Sequence, residues 1–374
     1  MPFPSISALA RKLPLAALLL AAAAALPGCE AFAPNTPFTA LPDLQRAGLN
    51  QQWQTIIGLA GGERIVNAWR VGDSLYVTTN HKRLIRIVAA SGVKAWDVQV
   101  GIQTQRIFRP VDLGNNRVLV LNQGSAFILD KAAGVVVASN TLNMIVTTDP
   151  IVDAASNTLC VGGLDYFYGL YLDQLGSRKW DVSAPQDLFA ATPAVVGNTL
   201  LIASRQGHLW QIRAATGEWN WKDRKTNGEV VAPLASNGGA LFVAALDQRV
   251  YAFAVANGGE LWQVRLEGTL DKMPIPIRSQ LLVPAGGKGL YSLSADTGDT
   301  QWIAPGVSQI ATISGNHAWA QDAGGNLDSV SLDDGSILSS TPVPAAQLAV
   351  YNNSDDQLVV LINKAGVVGG FMPR

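Results

Sequence analysis

The residues of this chain that could do chemistry are few: three histidines, two cysteines and a handful of loop aspartates. A metal centre would need His or Cys at ligand spacing. His81, His208 and His317 lie far apart, with no His-x-x-x-His or Cys-x-x-Cys beside them. Cys160 sits in the apolar run Leu159-Cys160-Val161. It reads as a buried thiol acting as a small hydrophobe, because a nucleophilic thiolate needs a base and cationic surroundings. Asp149, Asp187 and Asp271 occupy comparable junctions of the repeat described below and could face one opening. Three carboxylates from separate loops do not make a calcium site. The expectation is a binding protein with no catalytic residue, no metal and no cofactor.

Composition narrows the class further. Hydrophobic residues make up 48% of the 374 residues and charged residues 15%, against about 25% charged in an average globular chain. A formal net charge of −1 supplies no field to attract nucleic acid or an anionic surface. At the N-terminus, Arg11 and Lys12 precede the apolar run 13–26, too short to span a bilayer comfortably. Residues 1–28 therefore read as an export signal. Leu26-Pro27-Gly28-Cys29 resembles the bacterial lipobox, which implies cleavage before Cys29 and a diacylglyceryl thioether on it. Leu26 and Gly28 fit that motif, and Pro27 departs from it. The alternative is an ordinary signal peptide cut near Gly28. Residues 29–47 read as a lipidated Cys and tether, with at most a short helix over 42–49.

The elements that would position any site come from a repeat. Glycines 92, 134, 176, 217, 258, 298 and 335 recur about every 40 residues. Trp96, Trp180, Trp221, Trp262 and Trp302 stand four residues after Gly92, Gly176, Gly217, Gly258 and Gly298. Gly134 and Gly335 keep the phase but are followed by Ala138 and Ser339. A second turn set (Gly72, Gly114, Ser156, Gly197, Gly238, Arg278, Gly315) runs 20 residues ahead of the first. Between turns lie β-type runs such as SLYVTT, RVLVLN and TLLIAS. Each unit thus predicts four strands, A to D, as in a propeller blade. Gly supplies positive φ at the C–D turn, and the Trp opening strand D has a neighbouring blade on which to bury its ring.

The last unit has its first turn near Asp355-Asp356, so its strand D would fall past Arg374. The segment LNQQWQTII, with Trp53 in register, can supply the missing strand. Residues 48–374 then form an all-β, eight-bladed propeller of four-stranded antiparallel blades with no open edge.

The units AATGEWNW (214–221), ADTGDTQW (295–302) and ANGGELW (256–262) resemble the tryptophan-docking repeats of quinoprotein-type (PQQ-like) propellers. Over residues 29–374, lipobox, tether and blades together resemble the BamB-like family of outer-membrane protein assembly lipoproteins. That resemblance implies a non-catalytic scaffold, anchored in the periplasm to the outer membrane. It implies a protein partner, the β-barrel insertase, and a propeller that is monomeric within the complex. In that family the partner is held by D–A loops of the middle blades, which correspond here to 183–190 and 223–230. Leu188, Phe189 and Arg224 are the residues there to test, Phe189 as an aromatic anchor and Arg224 as a polar one. A docking propeller for another envelope protein or a polysaccharide is the alternative. The cations Lys82, Arg83, Arg205, Arg249, Lys288 and Lys364 on B–C turns would then suit an acidic partner. Resemblance to quinoprotein dehydrogenases would imply pyrroloquinoline quinone, calcium and a vicinal Cys pair. This chain has no Cys-Cys pair and no long insertions between blades.

Overall fold

The structure is a computed structural model that describes residues 41–102, 105–184 and 186–374. Residues 1–28, read above as an export signal, lie outside the described residues, as do Cys29 and most of the segment read as a tether.

Eight four-stranded antiparallel sheets follow one another as propeller blades. In blade 1 the strands are Ile65–Val71 (A), Ser74–Thr79 (B), Arg83–Val88 (C) and Lys94–Gln99 (D). The A strands touch between blades 2 and 3, 4 and 5, 5 and 6, 7 and 8, and 8 and 1, which puts them on the inner wall of the ring. The B strands are buried almost end to end, as in Thr199–Ala203, and most C strands are buried through their centres, as in Arg249–Ala254, because each blade is covered on both faces by its neighbours. That double coverage removes the alternation of a half-exposed sheet. The D strands lie outermost and keep mostly exposed side chains, as in Glu260–Arg265.

Every glycine of the C–D turns has positive φ, from 69° at Gly258 to 111° at Gly176. A second reason for glycine appears only between blades. A β-carbon added to Gly92, Gly134, Gly217, Gly258, Gly298 or Gly335 would stand 2.5–2.8 Å from the indole of the preceding blade: Trp53, Trp96, Trp180, Trp221, Trp262 and Trp302 respectively. The same indoles donate Nε1–H to a carbonyl of that next blade: Ala89, Lys131, Ala214, Val255, Ala295 and Leu332. Each Trp is therefore a plug set on a bare glycine turn.

The two units without Trp now have an account. Blade 2 carries Ala138, and Gly176 of blade 3 is met instead by Leu142 at 2.6 Å from its would-be β-carbon. Blade 7 carries Ser339, and the blade that follows it has no C–D turn to receive a Trp. Strand C of blade 8 is Val367–Pro373 and its strand D is Leu49–Ile56, with Trp53 opposite Gly370. The helix Leu41–Arg46 fills that corner. Its Leu44, with Leu49 and Ala47, is buried, the first two beside Trp319, Val343 and Phe371. Ser339 Oγ donates to Ala47 O at 3.5 Å. The helix read as part of the tether is thus packed on the propeller.

Charged side chains tie blade 1 to the blades on either side of it. Arg70 of blade 1 pairs with Asp356 of blade 8 at 2.6 Å. Lys131 of blade 2 pairs with Asp73 of blade 1 at 2.7 Å and with Asp112 at 2.6 Å. On the other face, the wholly buried Glu63 carboxylate accepts from Arg83 (2.8 Å), Thr79 (2.6 Å) and the Ala60 N–H (2.9 Å). Burial alone would raise the Glu63 and Asp356 pKa values. The hydrogen bonds to Glu63, and those from Asn352 and Arg70 to Asp356, outweigh it and hold both below the ordinary carboxylate range. A carboxylate lowered on folding adds stability above its unfolded pKa and loses it as pH falls through the folded value. The thermal midpoint should therefore be flat near neutrality and fall below about pH 4.5, the ordinary value for Glu. Glu63→Gln should melt lower at pH 7 and lose less on acidification. Identical acid limbs in a differential scanning series would show that Glu63 does not couple closure to pH.

Candidate functional site

Alternation of strand direction sends the B–C turns and D–A loops to one face of the ring, and the A–B and C–D turns to the other. The first face is tied together by its own backbone. Ala184 N donates to Asp165 O, Phe189 N to Gly163 O, Arg205 N to Leu188 O and Val230 N to Arg205 O. The Asp187 carboxylate accepts the Gln206 N–H, fixing the D–A loop of blade 3 on the B–C turn of blade 4. Asp149 accepts the Arg109 N–H at 3.0 Å and so links successive D–A loops. Asp271 is exposed on its own loop. The three aspartates are brought to one face but to different tasks, and their donor set does not fit a calcium or quinone site. Among the described residues no group of three or more His, Cys, Asp or Glu is placed to hold a metal ion.

Two of the three partner residues named from sequence have other work. Phe189 is fully buried between blades, 5.4 Å from Phe167 and 5.7 Å from Trp210 between ring centroids. It cannot offer its ring to a partner, because the apolar inter-blade space takes it. Arg224 lies in strand D of blade 4, Trp219–Lys225, and not in a loop. Its guanidinium donates to Gly258 O (2.8 Å) and Asn257 O (3.1 Å), caps the turn on which Trp221 docks, and so serves blade packing. Leu188 remains half-buried on the loop surface. The same face carries exposed Ile102, Ile145, Leu164 and Leu246 on loops and turns of blades 1 to 5. Nothing in the sequence marks these four, since Ile102 and Leu164 are lone aliphatic residues in loops, Ile145 sits between Met144 and Val146, and Leu246 follows two alanines.

The basic rim is largely neutralised. Arg83 pairs with Glu63 and Asp97, Arg205 with Glu229 (2.9 Å), Arg249 with Asp247 (3.4 Å) and Lys288 with Glu267 (2.7 Å). An acidic partner would have to displace these acids. Cys160 is fully buried, and burial pushes its thiol pKa up, so it is no nucleophile. His317 is exposed and His81 half-exposed at separate turns, while His208 stacks on Trp210 at 5.9 Å.

Comparison with known proteins gives the ring its relatives. The family model described as outer membrane protein assembly factor BamB matches residues 59–223, 170–262 and 224–361. Curated relatives include the outer membrane protein assembly factor BamB of Burkholderia pseudomallei (strain K96243), 25% identical over 164 residues, which are 41% of this chain and 42% of that protein. The protein of the same name from Nitrosomonas eutropha is 26% identical over 135 residues, 36% of this chain and 32% of that one. The match thus spans well under half the length of these relatives. Among solved structures, BamB from Moraxella catarrhalis superposes with a TM-score of 0.69 at 15% identity, covering 87% of this chain and 97% of that one. The computationally designed Ika8 protein gives 0.69 at 14% identity, covering 86% and 100%. At such identities the superpositions bear on the fold alone.

Proposed function

From the premise that this chain belongs to the family of the outer membrane protein assembly factor BamB, we propose that it is a non-catalytic scaffold of the bacterial envelope. In this reading it is held to the outer membrane by a lipid on Cys29 and serves the assembly of β-barrel outer-membrane proteins. The observation that carries the reading is the family match, which runs through residues 59–361 and so through nearly the whole ring. The face of B–C turns and D–A loops is the docking surface. Ile102, Ile145, Leu164 and Leu246, with Leu188 at the edge, are the aliphatic side chains that this backbone-tied face offers a partner. The partner is the β-barrel insertase.

Affinity capture with the lipidated protein should recover the insertase. Leu188→Asp together with Ile145→Asp should weaken capture by tenfold or more, the scale of about 1–2 kcal/mol per buried interface anchor, with the melting temperature unchanged. Cys29→Ala should move the protein from the membrane to the soluble periplasmic fraction. Undiminished capture by the double variant would remove this face from the interface. Recovery of a different envelope protein in place of the insertase would replace the partner.

A further inference from the structure

Beside that face, on the flank of the ring between blades 3 and 4, lies a cleft of about 330 Å³, at the small end of ligand pockets, which run from roughly 300 to 1,000 Å³. Its walls are two indoles. Trp219 is 40% exposed, while the other nine tryptophans are buried or half-buried. It meets Trp210 at 6.3 Å between centroids and 45° between planes. Around this V stand Asp187, Gln206, His208, Lys222 and Asp223.

Strand D of blade 4, which lines the cleft, is irregular. The C–D pairing there has two register shifts, whereas each of the other seven blades has one among the described residues. The extra shift sets Lys222 and Asp223 together between the paired residues Trp221 and Arg224, opposite Trp210 alone. Asp223 takes φ of 62° at this bulge. Bulges and left-handed non-glycine residues persist where a side chain has to be re-aimed.

We propose that this cleft binds a short neutral oligosaccharide, a pyranose stacking on Trp219. The C–H face of a sugar packs on an exposed indole, and its hydroxyls both donate and accept. The mixed rim answers both needs, with acceptors on the two aspartates and donors on Gln206, His208 and Lys222. A cationic ligand is disfavoured, since Lys222 Nζ already stands 6.0 Å from the centroid of the Trp219 ring. An added peptide strand is disfavoured too, because the bulge interrupts the edge that it would have to pair with.

The test uses the purified protein by itself, so its failure is separate from failure of the insertase reading. Chitotetraose and maltotetraose are titrated, with saturation-transfer NMR and tryptophan fluorescence as readouts. At least one should saturate with a millimolar or tighter dissociation constant. Trp219→Ala should weaken it tenfold or more, and Asp223→Asn severalfold, with unchanged melting temperatures. No saturable response to either sugar, or unchanged affinity in Trp219→Ala, overturns the proposal. So does loss of protein capture by Trp219→Ala in the absence of any sugar binding, which would give the cleft to a protein partner.

Discussion

Trp221→Ala is expected to destabilise the propeller by about 3–5 kcal/mol, the range for removing a large buried aromatic. Total stability of a domain is about 5–15 kcal/mol, so the urea midpoint should fall sharply. The indole is buried, lies in the core shared by blades 4 and 5, and donates to Val255 O at 2.8 Å. Alanine would leave a cavity and an unpaired carbonyl together. Gly258→Ala attacks the same joint from the other side. Its φ of 69° costs an L-residue about 1–2 kcal/mol. A β-carbon 2.8 Å from the Trp221 ring adds about 1–3 kcal/mol of overpacking. The double variant should cost less than the two single changes together, because no ring is left to overpack. Gly238→Ala separates the two effects. It has φ of 92° but open space where a β-carbon would go, so only the backbone strain remains. If Trp221→Ala shifted stability by less than about 1 kcal/mol, within the range of ordinary surface changes, inter-blade docking would not be what holds the ring.

Removing residues 41–56 is expected to make the protein self-associate. Blade 8 would lose its outer strand, and the corner beside Ser339 would lose the helix. The whole register Leu49↔Pro373 to Ile56↔Val367 would be left unpaired along a strand rich in apolar residues. Such an edge templates pairing with another chain. Blade 1 would also lose Trp53, which docks on Gly92 and donates to Ala89 O at 2.8 Å. Size-exclusion chromatography with light scattering reads the outcome. A stable monomer with an unchanged melting temperature would mean that closure through the N-terminal strand is dispensable.

The eight-blade ring was legible in the chain because its signals are local and repeated. Glycine at positive φ, turn dipeptides 20 residues apart and a Trp in constant phase are each properties of a few consecutive residues. Even the closing strand around Trp53 followed, since a repeat that lacks one strand at one end and has a spare at the other can close only one way. What those residues touch was not legible. That Gly258 is bare for the sake of Trp221, that Ser339 has no Trp because a helix replaces the next turn, and that Arg224 caps a turn of the following blade are facts about neighbours 33 or more residues away. Phe189 shows the same limit. A loop position in sequence says nothing of which way the loop folds, and the inter-blade space claimed the ring. Trp219 shows it most sharply. In the sequence it is one of two tryptophans in the run Trp219-Asn220-Trp221, yet one is buried and the other exposed. The difference comes from register in a strand pair, and a shift of one residue there exchanges inside and outside. The repeat phase had already marked Trp221, four residues after Gly217, as the ring that plugs a blade; pairing register and neighbouring strands are set across the sheet, so only the tertiary structure decides that Trp219 stays open to solvent and meets Trp210.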